Sequence, residues 1–181
     1  MSDVTATATA TATAKPTPVQ ALGVVAAVVV LVALYLMIGA ALQIVPLYAG
    51  FFFLLYWSSM RQMGADEFLP AVVGSLGGLG TGWLLHVAPT AYGTAGLVAM
   101  LVLISVAIYL QVRGELVMLV NPGFMLFLTL ATVPPVAAQD NFQGMALSIL
   151  FAAVFFGGLF FLARTIGQRR KRSSQLPTSH Q

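Results

Sequence analysis

Residues 19–163 are almost unbroken apolar sequence, divided only where polar residues, prolines and glycines cluster. Val19 to Met60 is about twice one membrane span of roughly 20 residues at ~1.5 Å rise, so it must fold back on itself. Gln43 to Leu47 (QIVPL) is the polar, proline-bearing place to do so, which predicts helix one over 19–43 and a short helix two over 46–60. A loop at Arg61 to Phe68 (RQMGADEF) precedes the apolar run Leu69 to Ala88, helix three. His86 to Thr94 (HVAPTAYGT) reads as a turn around Pro89 and Gly93. Helix four is expected over 95–112, closed by Arg113-Gly114-Glu115. Helix five follows over 116–136, with Pro122 near its start and Pro134-Pro135 near its end. After a loop at 138–143, helix six runs over 144–163 and stops at Arg164.

The flanks differ in kind. Residues 1–18 hold an alternating Thr-Ala tract, whose small side chains bury too little apolar surface to offset ordering, so a disordered tail is expected. A cleaved signal peptide is the competing reading, because Lys15 precedes a hydrophobic run. Val19 to Ile44 is much longer than a signal core of roughly 7–15 residues, which favours an uncleaved first helix. Residues 165–181 form a basic, polar second tail.

Helix three, LPAVVGSLGGLGTGWLLHVA, carries Gly74, Gly77, Gly78, Gly80 and Gly82. In a soluble helix each glycine would cost roughly 1 kcal/mol relative to alanine. Between membrane helices the same residues let two backbones approach closely. Gly74, Gly78 and Gly82 recur every fourth residue and form one stripe, which places this helix in the middle of a bundle. Gly77-Gly78-Leu79-Gly80-Thr81-Gly82 also has the outline of a phosphate-cradling loop, but no strand–turn–helix context surrounds it and Trp83 stands where the last glycine belongs.

Composition and charge convert these runs into a class and an orientation. Only 7 % of the residues are charged against 59 % hydrophobic, far too little charge to cover a soluble surface that calls for roughly 25–35 %. The expected fold class is therefore an all-α integral membrane protein with one domain over 19–164. With both termini in the cytoplasm, Lys15, Arg61, Arg113, Arg164, Arg169, Arg170, Lys171 and Arg172 all fall inside, and these are all the lysines and arginines of the chain. Six transmembrane helices with both ends cytoplasmic follow from that rule. The net charge of +3 is thus a topology signal and not a nucleic-acid footprint.

The six helices divide into two copies. Shifted by 74 residues, Val32-Ala33-Leu34-Tyr35-Leu36 faces Val106-Ala107-Ile108-Tyr109-Leu110, and Asp66-Glu67-Phe68 faces Asp140-Asn141-Phe142. At the same shift Gly74 and Gly78 face Ser148 and Ala152, again small residues four apart. One residue less places Ala49-Gly50-Phe51 against Pro122-Gly123-Phe124. Three helices per copy make this a 3+3 inverted-topology repeat, an arrangement of many transporters whose sites lie near the midplane at the repeat interface. The packing set it predicts is Gly74, Gly78, Gly82, Ser148 and Ala152.

Candidate chemistry is sparse. With no cysteine there is no thiolate, disulfide or sulfur-ligated metal, and His86 and His180 stand far apart, so no metal site, cofactor or catalytic residue is expected. No Asp, Glu, Lys or Arg lies mid-span, which points away from ion-coupled pumping and toward a weakly polar solute or passive conduction. Asn121, Pro122, Gly123, Thr81 and Ser75 are the candidate pore or cavity residues, since Pro122 leaves a carbonyl free one turn earlier. Asp66 and Asp140, at loop–helix junctions, are candidate helix caps or gate residues. Tyr56, Trp57 and Trp83 read as interfacial anchors, and Arg169 to Arg172 as a cluster that fixes topology and meets anionic lipid.

Ala49-Gly50-Phe51, the glycine-rich third span, Pro122-Gly123 and the six-span length resemble a bacterial inner-membrane family catalogued as domain of unknown function 1097. The resemblance covers residues 20–165 and leaves out both tails. It implies an inner (plasma) membrane location and supplies no substrate, cofactor or catalytic residue. The expectation is a multi-pass channel or transporter for a small solute, a homo-oligomer in the lipid bilayer, not an enzyme. The alternative is a non-transporting structural or accessory membrane protein.

Overall fold

The computed structural model describes residues 17–133, 136 and 141–174, with side chains described through residue 169. Asp140, Pro134, Pro135, Lys15 and His180 lie outside the described residues. The regular structure among the described residues is entirely helical. Three helices there are long and apolar enough to cross a membrane, Pro18–Ala41, Ala65–Arg113 and Phe142–Arg169, as expected of an all-α membrane protein.

Helix α1 (Pro18–Ala41) starts on a capping box. Thr17 N donates to Gln20 Oε1 at 3.1 Å, Gln20 N donates back to Thr17 Oγ1 at 3.4 Å, and Pro18 supplies the pre-set φ of the first helical position. The chain divides into two compact units, Met1–Leu34 and Tyr35–Gln181. In the first, the apolar side chains of α1 are exposed on nearly every face, as befits a helix whose solvent is lipid.

In the second unit α2 (Tyr48–Leu55) continues through a π turn, Tyr56–Met60, and so ends where the sequence predicts. Helix α3 runs from Ala65 to Arg113 and leaves helical geometry only at Gly93, with φ 57° and ψ −136°, a conformation open to glycine. The turn expected over His86–Thr94 thus narrows to one residue, and Pro70 and Pro89 sit inside helix, as prolines do where neighbouring helices support the backbone. The two arms of α3, residues 65–92 and 94–113, meet just beyond the break, where a Cβ at Gly96 would overlap the Ala88 carbonyl oxygen.

Helix five is a correction. It was expected from residue 116, but α4 spans Pro122–Thr132. Gly114 caps α3 in the left-handed region at φ 67°, Leu116 follows at φ 52°, and helix resumes where Asn121 caps and Pro122 takes the first position. Helix six is longer than expected: α5 (Phe142–Ala152) passes through a π turn, Ala153–Gly157, into α6 (Gly158–Ser174). Gln, Arg and Lys past Arg164 are good helix formers, and basic residues suit the negative end of the helix dipole.

Aromatic rings fill the core. Trp57 meets Phe68 and Phe160 edge-on at 5.0 and 5.2 Å between ring centres, and Tyr35 stacks on Phe151 at 5.1 Å. The reading of Tyr56 and Trp57 as interfacial anchors is therefore corrected: both are fully buried, and Trp57 Nε1 donates to the Gly64 carbonyl at 3.2 Å. Trp83 does remain exposed.

Candidate functional site

Three polar side chains are wholly buried among the described residues: Ser75, Asn121 and Ser148. A buried polar group without a partner costs free energy of its own, so its hydrogen bonds show what it does.

Ser148 caps a helix that is not its own. The first N–H groups of α2 need acceptors, and its N-cap, Leu47, has none to give. Ser148 Oγ, arriving from α5, accepts the Gly50 N–H at 2.9 Å. Tyr35 Oη lies 3.5 Å from the same oxygen and donates to the Leu47 carbonyl at 3.2 Å. Gly50 is obligatory here, because a Cβ would overlap Tyr35 Oη and fall 2.6 Å from the Ser148 carbonyl oxygen and 2.8 Å from Ala152 Cβ.

Asn121 caps its own helix. Its Oδ1 accepts Gly123 N–H at 2.9 Å, Phe124 N–H at 3.2 Å and the Tyr56 hydroxyl at 3.3 Å. Its Nδ2 donates to the Pro70 carbonyl on α3 at 2.8 Å and to Val117 and Met118 at 3.1 and 3.4 Å. The carbonyl that Pro122 leaves free one turn earlier, Met118, is thus satisfied by the neighbouring asparagine and not by a cavity. Arg61 Nε donates to Tyr56 Oη at 3.0 Å and its NH1 pairs with Glu67 at 3.0 Å, which carries the polar chain out to the loop. The hydrogen bond to Tyr56 holds the Arg61 guanidinium above its ordinary pKa, with Glu67 adding to the effect, so it stays charged.

Ser75 has no hydrogen-bond partner among the described residues. It sits in the same turn as Gly74 and Gly78, which touch Asn121 and Phe124. Thr81 turns back to the Gly77 carbonyl at 2.9 Å, the ordinary resting place of a threonine in a membrane helix.

The glycine stripe packs on α4. A Cβ at Gly74 would overlap the Asn121 amide, one at Gly78 the Phe124 carbonyl, and one at Gly82 the Ala131 side chain. Ser148 and Ala152 meet Gly50 of α2 instead, so the two small-residue sets each find a short helix and do not pair with one another. Between the first arm of α3 and α5 lies an open groove of about 330 Å³ whose apolar walls include Leu76, Gly80, Trp83 and Ala146.

Of the expected caps, Asp66 lies in the first turn of α3, where its charge suits the helix dipole, but Gly64 holds the N-cap position without a side-chain bond. Asp140 falls outside the described residues, and α5 is capped by Asn141, whose Oδ1 accepts Gly144 N–H at 3.0 Å while its Nδ2 donates to Val45 at 2.7 Å. Sequence reasoning missed Asn141, Tyr35 and Tyr56. For Asn141 a signal existed, an asparagine three residues before Gly144 at the foot of an apolar run. No family model matches this chain, and neither does any characterised protein or solved structure.

Proposed function

We propose that this chain is a multi-pass protein of a bacterial inner membrane, built as a six-span 3+3 inverted repeat with both termini cytoplasmic. It serves there, as a homo-oligomer, as a channel or transporter for a small, weakly polar solute, without catalytic chemistry or a cofactor. The inner-membrane location follows the resemblance to the family of domain of unknown function 1097.

The observation that carries the reading is the exchange of partners between halves. The third helix of the first copy lays its glycine stripe on α4, the short second helix of the other copy. The third helix of the second copy lays Ser148 and Ala152 on α2, the short second helix of the first. The two short helices are capped by different means: Ser148 reaches α2 from α5, whereas Asn121 caps α4 from the residue before it. Two helix pairs that each combine elements of both copies are the kind of arrangement on which alternating access in inverted repeats is built.

The saturation of Asn121 and the ring-filled core favour the second reading, a structural or accessory membrane protein. Flux separates the two. Purified protein in proteoliposomes should pass small neutral solutes such as amides and alcohols, or small anions, faster than empty vesicles. Folded protein that passes none of them overturns the transport proposal and leaves the structural reading.

A further inference from the structure

We propose that the seam between α3 and α5–α6 is a seat for one anionic phospholipid, its acyl chain in an apolar groove and its phosphate on Arg164. The groove holds about 380 Å³ and is walled by Leu69 and Val72 of α3 and by Leu150, Val154, Gly158 and Phe161 opposite. That volume lies within the roughly 300–1,000 Å³ typical of ligand sites. Val154 is 75 % exposed within it, and a Cβ at Gly158 would meet no atom within 4 Å, so the floor is open.

Charge selects the occupant. Arg61 is held by Glu67 at 3.0 Å and Arg113 by Glu115 at 2.7 Å. Arg164 is exposed and makes no ion pair or hydrogen bond among the described residues. It stands three residues past Phe161, hence on the same side of α6, at the end of the groove where the apolar sequence stops. Glu67, the carboxylate next to groove residue Phe68, is already committed to Arg61. An apolar channel that ends at an uncompensated guanidinium matches a phosphate ester carrying a hydrocarbon chain. The seat requires membrane embedding and is independent of solute transport.

The test is retention of lipid by protein reconstituted in equimolar phosphatidylglycerol and phosphatidylcholine of identical chains, then released into detergent and weighed by native mass spectrometry. Wild type should keep one phospholipid, with phosphatidylglycerol preferred about fivefold, the factor equivalent to ~1 kcal/mol from one arginine at the membrane surface. Arg164→Gln should keep lipid with the preference gone. Gly158→Leu, whose side chain enters the groove, should lose both lipids while its melting temperature stays at the wild-type value. Wild type without bound lipid overturns the proposal, as does an undiminished preference in Arg164→Gln. Loss of the preference only on neutralising Arg169 to Arg172, or displacement of the lipid by inorganic phosphate, would also overturn it.

Discussion

Replacing Gly78 with alanine adds one methyl group at the tightest approach between α3 and α4. That Cβ would lie 2.8 Å from the carbonyl carbon of Phe124 and 2.9 Å from its Cα, and closer still to its oxygen. Carbon atoms pack best at about 3.5–4.0 Å, so the two helices must part locally by about 1 Å. The obstacle is backbone, and no rotamer change relieves it. Overpacking costs about 1–3 kcal/mol, and the upper end applies because the parting also loosens Gly74 against Asn121 and Gly82 against Ala131. At about 2–4 °C per kcal/mol for a chain of this size, thermal unfolding in detergent should shift down by about 6–12 °C. Gly80→Ala is the internal control. It sits two residues away with no atom within 4 Å of its Cβ, so it should leave the melting temperature unchanged or raise it through helix propensity. A Gly78→Ala protein as stable as wild type, or a Gly80→Ala protein as damaged as Gly78→Ala, would refute the stripe's role in packing α3 on α4.

The two serines should behave oppositely despite equal burial. Ser148→Ala strands the Gly50 N–H and should cost about 1–3 kcal/mol, whereas Ser75→Ala removes an unpartnered hydroxyl and should be neutral or stabilising by chemical or thermal unfolding. Equal losses for both would refute the assignment of Ser148 as the cap of α2. Asn121→Ala removes the cap of α4 and leaves the Pro70 carbonyl without its cross-helix donor, for a loss of about 2–4 kcal/mol. It should also raise hydrogen exchange at Gly123 and Phe124, and unchanged protection there would count against the cap. Tyr56→Phe should cost less, about 1–2 kcal/mol, because Asn121 Oδ1 keeps its two backbone donors and Arg61, though it loses the hydroxyl, keeps its pair with Glu67.

Helix existence was legible because a bilayer-length apolar run has few other uses, and the glycine stripe was legible as a packing face because its period is four. Where helices begin was less so. Leu116 to Val120 is as apolar as any span, and hydropathy does not distinguish a turn from a helix there. The true start was encoded in Asn121-Pro122, a cap followed by a first-turn proline. Of Pro89 and Gly93, both placed in the expected turn, only Gly93 breaks the helix, because a membrane helix can absorb a proline whereas φ 57° with ψ −136° is a glycine conformation. The partner of the stripe was not legible, since the same small residues suit α4 and α5 alike and only the backbone path decides. Nor were the tyrosine clamps: Tyr35 and Tyr56 reach their partners 12 and 65 residues away, and no local pattern encodes such a contact.

The central claim is the six-span inverted layout, and the absence of cysteine from the chain makes it directly measurable. Single cysteines placed at Ile44, Tyr92 and Gln139 should react with a membrane-impermeant maleimide applied to intact spheroplasts. Cysteines at Ala65, Glu115 and Ser179 should react only after the membrane is opened. Labelling of any of the second three in intact spheroplasts, or protection of any of the first three, would contradict the layout.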